Sequence, residues 1–124
     1  MRNIVREGTV AAVSKDKVRV QIGKNTTDWL RWSTLRAGAV KISFRPSIGE
    51  PCTVVSENGN LNAGKVYPGG YSDANPMPDD CGDNDFIIDV PAGGRLVLRC
   101  GNASIILTEN HIGIKAPRID LDKN

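Results

Sequence analysis

Cysteine, aromatic side chains and long apolar runs are all scarce in this 124-residue chain. Its three cysteines, Cys52, Cys81 and Cys100, form no C-x-x-C pair, which argues against both a disulfide framework and a zinc ribbon. They read as ordinary thiols of a reducing compartment. No stretch approaches the roughly 18 apolar residues of a membrane span, and the opening Met1-Arg2-Asn3-Ile4-Val5-Arg6 lacks the apolar region of a secretory signal. The chain is therefore expected to have no signal peptide and no transmembrane segment, and to be made in a cytosol. With one histidine, His111, no Ser or Cys beside a plausible base and no glycine-rich phosphate loop, the minimum for catalysis is not met. Neither an enzyme nor a cofactor or metal ion is expected. At 13.4 kDa the chain is one small domain or two very small ones.

What the chain does have is turns, short β-branched runs and a divided charge. Glycine and proline together number 20 against 5% aromatics, which favours strands and turns over long helices. Residues 1–70 carry 11 basic and 5 acidic side chains, and residues 71–124 carry 5 and 9, so the halves stand at +6 and −4. The split is read either as two separately solvated surfaces or as two faces for different partners. The basic residues lie singly with no run of three, so no nucleic-acid partner is expected.

Residues 4–13 and 17–22 read as a hairpin across Ser14-Lys15-Asp16. Val18, Val20 and Ile22 alternate with Lys17, Arg19 and Gln21, the period of a strand with one dry face. Residues 26–32, 51–56 and 64–67 complete about five short strands over 1–70, which suits a small closed barrel. Residues 71–85 hold no periodicity, two prolines and several acids, and read as a linker. Asp80, Asp83 and Asp85 have the spacing flavour of a calcium loop without its remaining ligand positions. From 86 to 124 five brief strands are expected, at 86–90, 95–100, 103–108, 111–116 and 118–122. Leu96 and Leu98, Ile105 and Leu107, Ile112 and Ile114, and Ile119 and Leu121 each place two aliphatics on one face. A lone ribbon of strands cannot bury such a stripe. Three copies turned towards a common axis would bury it; a two-sheet core within one chain is the alternative. The parity of Leu96, Leu98 and Cys100 puts Cys100 on the same side.

Several stretches in order carry a family resemblance across nearly the whole chain. They are Arg6-Glu7-Gly8-Thr9-Val10-Ala11-Ala12-Val13, Thr26-Thr27-Asp28-Trp29-Leu30-Arg31-Trp32, Leu35-Arg36-Ala37-Gly38-Ala39, Pro46-Ser47-Ile48-Gly49-Glu50 and the run from Tyr71 to Asp80, followed by residues 112–121. In these the sequence resembles phage baseplate assembly protein V, the tail-spike family of contractile-tailed phages, related to the type VI secretion spike. The resemblance implies an all-β homotrimer, with an OB-fold barrel over 1–70, a linker over 71–85 and an intertwined three-chain β-helix over 86–124. It further implies a structural protein of the virion tail baseplate, or of a phage-tail-like particle, assembled in the bacterial cytoplasm. Such a spike plugs the tube end and pierces the host envelope on contraction. Its expected partners are itself, the baseplate hub or tail tube, a separate tip protein and, transiently, the host outer membrane.

Leu96, Leu98, Ile105, Leu107, Ile112, Ile114, Ile119 and Leu121 are the expected lining of the trimer axis. Trp29 and Trp32 lie an odd number of positions apart on an expected strand and so face opposite sides, one towards the barrel core and the other towards the hub or a neighbouring chain. Longer family members bind iron at the tip through His-x-His. Here His111 is followed by Ile112 and Gly113, and it shares a face with Lys115 rather than with the isoleucines, so no metal tip is expected. No carboxylate pair of an inserted lysozyme-like domain is present either. Five strands stacked at ~4.8 Å make a shaft of roughly 24 Å, shorter than the ~40–45 Å of a bilayer with its head groups. The shaft is expected to be driven by the sheath with the tube behind it. The rival reading is an OB-like module that binds single-stranded nucleic acid by stacking on its tryptophans.

Overall fold

The computed structural model describes residues 3–123, and among them every regular element is a β-strand. The chain divides into two compact units, Met1–Met77 and Pro78–Asn124.

The first unit is organised by one long strand, β1 (Asn3–Ser14), which serves two partners. Its N-terminal half pairs antiparallel with β5 (Pro51–Glu57), from Asn3 opposite Glu57 to Thr9 opposite Pro51. Its C-terminal half pairs with β2 (Lys17–Ile22), from Thr9 opposite Gln21 to Ser14 opposite Lys17. A bulge between Val10 and Ala12 marks the change of partner and adds the local twist that lets one strand bend between two neighbours. Gly8 is required close to this bend, because a Cβ there would lie 2.6 Å from the Gln21 carbonyl oxygen and 2.7 Å from Val20 Cγ1. β2 also pairs with β3 (Asn25–Thr26) and β4 (Leu30–Arg31), and β5 pairs with β6 (Lys65–Pro68).

The barrel closes where Trp32 bridges Val66 in parallel and the Ser33 N–H donates to the Val66 carbonyl at 2.7 Å. Closure buries Val10, Val18, Val20, Leu30, Cys52, Val54 and Val66 as the core. The alternation of Val18, Val20 and Ile22 is realised as expected: the two valines are buried and Ile22 packs on the cluster.

The sequence 26–32 is not one strand. Thr27, fully buried, takes the place of a ladder partner: its Oγ1 accepts from Val20 N–H at 3.0 Å and donates to the Asp28 carbonyl at 2.8 Å. Asp28 Oδ1 then accepts from Trp29 N–H at 2.8 Å, and the backbone turns between β3 and β4. The expected linker is also divided, because residues 72–75 form a turn whose Asn75 Nδ2 donates to the Gly49 carbonyl at 3.2 Å within the first unit.

The second unit contains a three-stranded antiparallel sheet, β7 (Leu96–Cys100), β8 (Ala103–Thr108) and β9 (His111–Lys115), in that order. Two-residue turns join the strands, and Gly101 takes the left-handed conformation, φ 54°, that glycine adopts without steric cost. The expected strands at 86–90 and 118–122 are not formed. Both segments are exposed and lie outside the ladder, since a β-run becomes a strand only where a neighbour accepts its hydrogen bonds. After Pro117, Arg118 Nε instead donates to Asp120 Oδ1 at 3.0 Å.

Candidate functional site

The chemistry of the second unit is that of a surface without a core. Antiparallel register puts directly opposed residues on the same face. Leu96 stands opposite Leu107, which stands opposite Ile112; Leu98 stands opposite Ile105, which stands opposite Ile114. Six aliphatics thus form two rows of three on one face of β7–β8–β9. That face is open in the single chain: Leu98, Ile112 and Ile114 are 60%, 67% and 58% exposed, and Ile105 and Leu107 are exposed as well. Cys100, opposite Ala103, continues the same face and is exposed.

The other face carries Val97, Ile106 and Gly113 in one row and Arg99, Ser104 and Lys115 in another. His111 belongs here, since a Cβ on Gly113 would lie 3.2 Å from His111 Cε1. The structure therefore brings Leu96, Leu98, Ile105, Leu107, Ile112 and Ile114 together and leaves two expected partners out. Ile119 and Leu121 lie beyond the sheet, and Leu121 is 93% exposed.

The tryptophans take opposite environments although 26–32, the strand from which that was expected, is broken. Trp32 is half-buried against the edge of the core and closes the barrel, while Trp29 is exposed. Neither is a buried core residue. A second apolar patch, not singled out from the sequence, lies in the loop between β4 and β5, where Leu35, Val40, Ile42, Phe44 and Ile48 are all exposed. Phe44 and Leu35 line a cleft with Trp32 and Tyr67. The period-2 alternation of Val40, Ile42 and Phe44 with Lys41, Ser43 and Arg45 was its available signal.

The interior of the barrel holds one thiol. Burial, reinforced by the Glu50 and Glu7 carboxylates, pushes Cys52 up to about 11, so it stays a neutral packing group. Among the described residues no three His, Cys, Asp or Glu side chains cluster to hold a metal ion.

A family model for the type VI secretion system/phage-baseplate injector OB domain matches residues 6–71, more than half of the chain and nearly all of the barrel. The chain belongs to this family. Its barrel is the injector OB domain, built here on a bent β1 shared by two partners and closed through Trp32 and Val66. The chain is also similar to a spike protein of Escherichia phage P2, 39% identical over 80 residues, which cover 63% of this chain. The match spans 38% of that relative's length. The aliphatic face at 96–114 lies beyond the stretch that defines the injector OB domain.

Proposed function

We propose that this chain is a structural, non-catalytic spike subunit of a contractile-tail baseplate, in a phage or a phage-tail-like particle, and that it works as a homotrimer. The observation that carries the reading is the six-residue aliphatic face of β7–β8–β9, five of whose side chains are exposed in one chain. Membership of the injector OB-domain family and likeness to a phage spike protein support it. In the trimer the three aliphatic faces meet on the axis, and the sheets become the walls of a short β-helix. Stiffness is the function. A strand clamped between neighbours of other chains cannot open alone, so the assembly transmits axial load without bending.

Three strands at ~4.8 Å give a wall about 14 Å high, well short of a bilayer of ~40–45 Å. Contraction of the sheath supplies the drive in this account, and a separate tip protein the point. The barrel faces the tube or hub, with Trp29 and the apolar loop around Phe44 as its contact surfaces. Among the described residues no helix is long and apolar enough to cross a membrane, and the account needs none.

The test is location. Purified tail particles carrying an epitope-tagged copy of the chain should bind gold-labelled antibody at the distal end of the tube. Label along the sheath, or particles that assemble with normal infectivity or killing without the chain, would overturn the proposal.

A further inference from the structure

Among the described residues the sheet β7–β8–β9 has two free edges, and the chain carries a strand-like segment that pairs with neither. Residues 85–89, Asp-Phe-Ile-Ile-Asp, set three apolar residues between two acids, and Phe86 is 88% exposed. Along β7 and the residue just before it runs Arg95-Leu96-Val97-Leu98-Arg99, three apolar residues set between two cations with the same spacing. Written antiparallel, the two complement each other at every position. Asp89 meets Arg95, Ile88 meets Leu96, Ile87 meets Val97, Phe86 meets Leu98 and Asp85 meets Arg99. This register keeps Phe86 and Ile88 on the aliphatic face and both acids on the opposite one. A slip of one residue would put the acids on the aliphatic face, and a slip of two would break at least one of the two charge pairs.

We propose that residues 85–89 of one copy add as a fourth strand to the free β7 edge of a second copy in this register. The five residues 90–94 would suffice to fold the segment back onto its own β7, yet the chain takes another path. The Gly94 N–H donates to the Pro91 carbonyl at 3.0 Å, and Ile88, Val90 and Pro91 line a cleft with Leu96 and Leu107. In a trimer built on the aliphatic face that cleft belongs to the neighbours, so the segment is displaced from it. Among the described residues none of Asp85, Asp89, Arg95 and Arg99 is in an ion pair, and Asp85, whose Oδ2 accepts from the Gly82 N–H at 2.8 Å, keeps its second carboxylate oxygen for a cation of a second copy. Strand addition supplies main-chain hydrogen bonds and removes an exposed edge, and the paired charges fix partner and register.

The inference rests on the trimer proposed above, and its test separates the two. In the full chain with Cys81→Ser and Cys100→Ser, the pair Ile87→Cys and Val97→Cys is oxidised, read on a non-reducing gel, and weighed in solution by light scattering. A trimer mass with covalently linked chains is the expected result. A trimer mass with the disulfide closed inside one chain, or with no disulfide, overturns the strand addition and leaves the trimer standing; a monomer mass overturns both. A second readout needs no cysteine. Asp85→Arg with Asp89→Arg should lower the urea concentration at which the trimer dissociates, and adding Arg95→Asp with Arg99→Asp should restore it. Failure of the combination to restore it counts against the register.

Discussion

Replacing Ile114 by Asp tests the aliphatic face where a single chain has least to lose. Ile114 is 58% exposed, so in an isolated chain an aspartate there remains largely solvated and the sheet survives. In a trimer the same position is covered. The exposed parts of Leu98, Ile105, Leu107, Ile112 and Ile114 amount to somewhat less than three whole side chains, so covering them contributes about 4–8 kcal/mol per chain. Ile114 supplies about 1–2 kcal/mol of this, lost in each of three chains on substitution. The larger effect is charge: three carboxylates roughly 6 Å apart repel by about 2–3 kcal/mol per pair at an effective dielectric of about 20, and each is desolvated besides. Together these losses are comparable to the whole gain from association, so Ile114→Asp should sediment as a monomer at micromolar concentration. Ile114→Val, costing about 0.5–1.5 kcal/mol per chain, should stay trimeric. A carboxyl buried among carboxylates has a raised pKa, so its protonated form is the one the trimer tolerates, and the variant should regain trimer mass near pH 4 and lose it as pH rises. Light scattering across pH measures this, with circular dichroism checking that the barrel persists. An Ile114→Asp trimer as resistant to urea as the parent at pH 7 would refute the axial placement of this face.

Three further predictions concern the barrel. Thr27→Val keeps the shape but removes the acceptor for Val20 N–H, so stability to urea should drop by about 1–3 kcal/mol; an unchanged midpoint would show that the hydroxyl is not what divides β3 from β4. Gly8→Ala forces a methyl group against the Gln21 carbonyl and Val20, and a loss of about 1–3 kcal/mol by thermal melt is expected, whereas a gain would contradict the close approach of β1 and β2. Cys52 titrates near 11 in the fold and lower when unfolded, so the unfolded state gives up its proton first and stability falls as pH rises from 9 towards 11. The difference between the parent and Cys52→Ala should shrink over that window, and a difference flat in pH would contradict the burial of the thiol.

Local pattern was readable where the two partners of a contact are strands joined by a short turn. The hairpin of β1 and β2 and the dry face of Val18 and Val20 follow from alternation alone, because the neighbouring strand is a few residues away. The rows Leu96–Leu107–Ile112 and Leu98–Ile105–Ile114 follow from spacing plus two-residue turns, which leave no freedom of register. Residues 26–32 misled because alternation cannot show that a threonine hydroxyl will replace a ladder bond at Val20; Trp32 still packs on the core and Trp29 is still exposed, but not through the parity of one strand. Residues 86–90 and 118–122 misled differently. The β-branched residues of 86–90 and the alternation of 118–122 are real, but a strand is a relation between two segments, and among the described residues of one chain these have no ladder partner. The apolar loop around Phe44 alternates between Gly38 and Pro46 as a strand would, yet Val40, Ile42 and Phe44 are all exposed, and alternation alone does not show whether an apolar row is covered.

The central claim is that β7–β8–β9 completes its core only with two further copies. Light scattering after size exclusion, in buffer and again in moderate urea, tests it most directly. The account predicts a particle of about 40 kDa, three times the 13.4 kDa chain, that persists in urea. A mass near 13.4 kDa in buffer would contradict it, because five exposed aliphatic side chains of that face would then remain in water.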